Sequence, residues 1–209
     1  MLNKKALYLL SVVSLAFIIY VVYYNFVYDP QAAGFLSHKT NLKRPLQIPV
    51  WLNVMYFHVI FACLAMGSGI INFSSSLFER SRKFHRINGY VYFVSVFLVS
   101  LTSGYMAPYA TGGKLTSIPF NLLNMIWPGM TVIALYHIKK RDIIRHRNWM
   151  FRSYAFCFTN LFIHLISLLC HHAFGLAYKT SYILGVYGSI TLLLILPSLV
   201  LARKKRLFI

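Results

Sequence analysis

His58 and His164 each fall inside a long apolar stretch, while His85 and His146 each precede an arginine at the edge of another. Imidazole within hydrocarbon is rare and costly, so a histidine placed there binds a ligand, relays a proton, or hydrogen-bonds to lock two helices. Neutral imidazole also ligates haem iron axially. Two histidines near one face of a membrane and two near the other are what a bis-histidine haem b electron conduit requires. Arg152 lies about one turn inside a fifth apolar stretch, where a guanidinium could clamp an anionic headgroup, a haem propionate or a cofactor phosphate, or snorkel to the headgroups. Asp142 is its nearest acidic partner by sequence.

The elements that position these groups follow from length. Stretches of about 20 apolar residues suffice to cross about 30 Å of hydrocarbon, and six can be read: 6–27, 50–73, 87–110, 116–138, 149–173 and 181–202. The chain is 58% hydrophobic. The expected fold class is therefore all-α: an integral membrane bundle of six transmembrane helices, forming one domain over residues 1–209. The first stretch exceeds the about 7–15 apolar residues of a signal core and reads as an uncleaved anchor, ended by Asp29-Pro30. Tyr20, Tyr23, Tyr24 and Tyr28 suit an interfacial belt there.

Twenty-one Lys and Arg stand against three acids. Lys4, Lys5, Arg80, Arg82, Lys83, Arg86, Lys139, Lys140, Arg141, Arg145, Arg147 and Arg203–Arg206 fall on one side of the spans, and only Lys39, Lys43, Arg44, Lys114 and Lys179 on the other. By the positive-inside rule both termini are cytoplasmic at a cell membrane. These short basic connections suit anionic lipid rather than a continuous nucleic-acid face. Three acids give no carboxylate pair within the membrane, which excludes a glycosidase-like or other two-carboxylate hydrolase. Cys63, Cys157 and Cys170 have no paired spacing, and Met55, His58, Cys63 and Met66 spread around their helix instead of converging on a soft metal.

Polar stripes set which faces turn inward. On the fifth span His146, Trp149, Ser153, Cys157, Asn160, His164, Ser167 and His171 follow one another at helical spacing, and an unbroken helix would put His146 and His164 roughly 27 Å apart on one face. On the second, His58, Ala62, Ala65, Gly69 and Asn72 form a stripe of small residues with room for a neighbouring helix or a planar ring. His58 lies roughly 12 Å below the outer surface, a depth His164 shares. On the fourth, Asn121, Asn124, Pro128 and Thr131 share a face, and on the sixth Ser181, Gly185 and Ser189 form a packing ridge.

The segments His85-Arg86-Ile-Asn-Gly89-Tyr-Val-Tyr92 and Arg141-Asp142-Ile-Ile-Arg-His146-Arg147-Asn-Trp149-Met150-Phe-Arg152-Ser153-Tyr154-Ala155 resemble the paired signatures of a bacterial family of multi-pass membrane proteins, domain of unknown function 2306. The resemblance runs over about residues 50–172. It implies a topology and a set of positions, without an activity. It also implies that many members carry arginine at the position of His164, which sets a His58–His164 haem against a pair that hydrogen-bonds or passes protons. Two function classes follow: a membrane redox protein holding haem b through His58 and His164, with His85, His146 and Arg152 at the inner level and a quinone or redox protein as partner; or a non-enzymatic transporter, sensor or assembly factor using the same histidines as a path.

Overall fold

The computed structural model describes residues 4–39 and 45–206, without the side chains of Ser75 and residues 204–206. Lys43 and Arg44, counted above among the outer cations, lie outside the described residues, as do the side chains of Lys204, Lys205 and Arg206. All regular structure among the described residues is helical. Six helices are long and apolar enough to cross a membrane.

α1 (Lys4–Tyr23) runs into a π-helical turn, Tyr24–Tyr28, and stops at Asp29. The Asp29 carboxylate then accepts from the backbone N–H of Ala33 at 2.8 Å and of Gly34 at 2.9 Å, starting the short α2 (Ala33–Ser37). This satisfies donors that a helix start leaves unpaired. α3 (Ile48–Asn72) opens with a proline in its first turn, where the missing N–H costs nothing. Phe35 of α2 stacks on Trp51 of α3 at 5.7 Å, so α2 packs on the start of α3. α4 (Ser75–Arg80) is a brief connection to α5 (Arg82–Met106).

After a 3₁₀ turn at Ala107–Tyr109 come α6 (Lys114–Lys139), α7 (Ile143–Ala155), α8 (Thr159–Phe174) and α9 (Tyr178–Arg206). The third span thus begins five residues earlier than expected, carrying His85 and Arg86 into the helix. The fifth begins six residues earlier and is divided by a 3₁₀ turn, Phe156–Phe158, into α7 and α8. An unbroken helix from His146 to His164 does not exist.

The chain forms two compact units. In the first, α1 packs on α3 and α3 on α5, around Ala65, Met66, Tyr92, Val96 and Val99. In the second, α6 packs on α7, while α9 packs on α6, α7 and α8. Ser181, Gly185 and Ser189 are buried, as the ridge expected on this helix requires. A Cβ on Gly185 would lie 2.8 Å from the carbonyl oxygen of Ile163, so only glycine lets α8 and α9 approach this closely.

Candidate functional site

His58 on α3 meets Thr102 on α5, with Nδ1 3.0 Å from Oγ1. The Thr102 hydroxyl has one proton and directs it at the carbonyls of its own helix, Leu98 at 2.7 Å and Val99 at 3.0 Å. It therefore accepts from His58, whose Nδ1 carries the proton and whose Nε2 is left as the basic nitrogen. Further along the same face Ala65 and Gly69 are buried, and at its far end Asn72 Oδ1 accepts from Asn88. Both ends of the stripe, His58 and Asn72, meet α5. Of the small residues beside which a planar ring was expected, Ala65 and Gly69 are buried and Ala62 is half-buried.

The first sequence motif closes the cationic end of that seam. Asn88 Nδ2 donates to the Ser68 carbonyl at 2.7 Å and to Asn72 Oδ1 at 2.9 Å. A Cβ on the neighbouring Gly89 would touch Asn72 Nδ2 at 3.4 Å, an ordinary contact, and Tyr92 one turn on is buried. His85 sits edge-on to Phe78 at 5.1 Å between ring centroids, and Arg86 is exposed. Asn88 and Thr102 escaped the sequence reading. Asn88 lies unremarked inside the first motif and Thr102 lies beyond it, and only pairing α3 with α5 would have exposed them.

The second motif organises the cationic end of the other unit. Asp142 precedes α7 and accepts from the backbone N–H of Arg145 at 3.0 Å, while its carboxylate lies 3.3 Å from Arg145 Nε and 3.8 Å from His137 Nδ1. It follows Arg141, which takes a left-handed φ of 61° in the tight α6–α7 turn. His146 places Nδ1 2.9 Å from the Ala134 carbonyl on α6. A carbonyl only accepts, so Nδ1 donates and Nε2 is again the basic nitrogen.

Arg152 does not pair with Asp142 as the sequence suggested. Its Nε donates to Ser198 of α9 at 3.2 Å, and its guanidinium stands over the Trp149 ring at 5.1 Å. On the broken fifth span Ser153 and Ser167 are buried as expected, whereas Asn160 and His164 are exposed. The inward stripe holds at Ser153 and Ser167 and fails at Asn160, His164 and His171. His58 and His85 belong to the first unit, and His146, Arg152 and His164 to the second.

A family model described as "Predicted membrane protein (DUF2306)" matches residues 55–201. The chain belongs to the DUF2306 family. The DUF2306 match covers both motifs and runs from within α3 to within α9, so the family core extends past the residue 172 boundary expected from the motifs to include the sixth span. No curated protein and no solved structure matches the chain. Within the DUF2306 region the first motif is a helix clamp built on Asn88. The second is a capped helix start that ties α7 to α6 through His146 and to α9 through Arg152.

Proposed function

We propose that this DUF2306 protein is a non-enzymatic membrane transporter or sensor in which His58 accepts and releases a proton. The observation that carries the reading is the Thr102 hydrogen bond, which fixes the ring with a basic Nε2 inside an apolar span. The chain's three acids are Asp29, Glu79 and Asp142, all outside the six helices long enough to cross a membrane, so no carboxylate accompanies His58 at its depth. A charge without a partner is costly there, and a proton taken by Nε2 is held only in passing. That behaviour suits a relay or a sensor better than a fixed ion pair.

The burial of Ala65 and Gly69 weighs against haem b on the small-residue face of α3. The basic Nε2 alone resembles a haem ligand, and no electron-transfer step is derived from it. On the positive-inside rule we place both termini on the cytoplasmic side of a cell membrane, with the ends of α6, α7 and α9 that carry Lys139, Arg147 and Arg203 against anionic lipid. Reporter fusions at Lys83 and Lys140 should then report inside, and those at Lys114 and Lys179 outside.

The experiment on His58 uses the full chain in liposomes loaded with a pH-sensitive dye under an imposed potential. Proton flux above that of empty liposomes, abolished in His58→Gln and reduced in Thr102→Val, is the expected result. Equal flux in wild type and His58→Gln would exclude the relay. A Soret band in protein from haem-replete cells, altered in His58→Gln, would move the protein to the redox class.

A further inference from the structure

The fifth span loses helical continuity at its midpoint, and α6 carries a proline at its own. Pro128 stands near the centre of α6 and offers no N–H to the Asn124 carbonyl, and the 3₁₀ turn Phe156–Phe158 divides α7 from α8 at the centre of the fifth span. α6 packs against α7, and the Trp127 ring lies 6.5 Å from that of Phe156, so the α6 proline and the 3₁₀ break meet at one level. Irregular backbone at membrane depth is tolerated where it is enclosed by protein, and interrupted helices recur at ligand sites near the midplane.

Two buried donors converge on this level without a hydrogen-bond partner among the described residues: Trp127 Nε1 and Asn124 Nδ2, one helical turn apart on α6. Trp127 is 6% exposed. Between Lys114 and Lys139 of α6, and from Ser153 to Ser167 of the fifth span, no Asp, Glu, Lys or Arg occurs. Donors without charge, set beside aromatic rings in hydrocarbon, select a neutral, flat, lipid-soluble molecule with acceptor oxygens. A benzoquinone has that chemistry. We infer that Asn124, Trp127 and Phe156 form a mid-membrane binding site for a quinone, with its carbonyl oxygens accepting from Asn124 Nδ2 and Trp127 Nε1. The site lies within the second unit and stands apart from the His58 reading, which its failure would leave untouched.

The test adds a decyl-substituted benzoquinone to the full chain in detergent. Tryptophan fluorescence should be quenched saturably, with a midpoint weakened about tenfold or more in Asn124→Leu, a loss on the scale of one hydrogen bond to a buried group. In parallel, the infrared carbonyl stretch of the bound quinone should fall below its frequency in empty micelles and recover in Trp127→Phe, which keeps an aromatic ring and removes the donor. Variants are compared at matched thermal midpoints. Should Asn124→Leu fail to fold, the infrared comparison of wild type with Trp127→Phe decides alone. Quenching that rises without saturation equally in both proteins, or a carbonyl stretch unchanged from empty micelles, would overturn the site and leave the donors to water.

Discussion

The α3–α5 seam of the first unit and the α8–α9 seam of the second solve the same problem with different chemistry. Lipid is as apolar as a helix surface, so no hydrophobic force separates packed from unpacked helices, and contact must come from shape or from hydrogen bonds. The first seam uses hydrogen bonds at two depths, His58 to Thr102 and Asn88 to Asn72 and Ser68. The second uses shape: Gly185 lies against the Ile163 carbonyl, and the hydroxyl of Ser189 turns back to Val186 of its own helix at 3.0 Å. A hydrogen-bonded seam can respond to protonation. A seam built on close approach cannot, which is why the proton-handling proposal rests on the first unit.

The largest expected effect breaks the shape-based seam. In Gly185→Val the Cβ enters space held by backbone, so a helix must move; overpacking of this kind costs about 3 kcal/mol or more. Thermal unfolding in detergent should show a drop well beyond any other substitution considered, and Gly89→Ala should leave the midpoint nearly unchanged because its contact is ordinary. Equal loss in both would erase the contrast between the seams. Next comes Asn88→Ala, which removes two interhelical hydrogen bonds and should cost about 1–2 kcal/mol. A double-mutant cycle with Asn72→Ala should give a clear coupling energy, and strict additivity would show that the clamp is not a unit. His58→Phe should cost less, about 0.6 kcal/mol, the average for one such bond in a membrane.

Much of this organisation was legible in the chain. Apolar length gave the six spans, and the spacing of Ser181, Gly185 and Ser189 gave the α9 ridge, because small residues at four-residue intervals have little use except close packing. The stripe from His58 to Asn72 was also read correctly as an inward face. Its partner was not, since nothing in one helix names the helix it touches. The break at Phe156–Phe158 carries no proline or glycine and left no mark in the sequence. Three residues at 3₁₀ pitch turn the chain by roughly 60° more than three α-helical residues, which rotates Asn160 and His164 away from the arc holding Ser153, Thr159, Ile163 and Ser167. The third span was read short for a different reason. Arg82, Lys83 and Arg86 lower its hydropathy, although exposed basic residues do not interrupt helical hydrogen bonding.

The smallest expected effect concerns a polar contact outside the spans and extends the contrast to charge. Lys39 donates to the Tyr109 carbonyl, and burial lowers its pKa from 10.5 to about 8. The folded protein therefore holds this proton less tightly than the unfolded chain does. Below about pH 8 the ammonium is buried in the folded state and its destabilising effect is fully present; as pH rises from 8 towards 10.5 that effect is relieved, and stability grows. Thermal midpoints of wild type minus Lys39→Met should accordingly become more favourable to wild type over that range. Labelling by an amine-reactive reagent, followed by peptide mass spectrometry, should show Lys39 gaining reactivity at a lower pH than Lys179, which is exposed at the same side of the spans. A common labelling profile for the two lysines would show that Lys39 meets solvent freely, and that hydrogen bonds outside the spans do not constrain charge as those within α3 and α5 constrain the His58 proton.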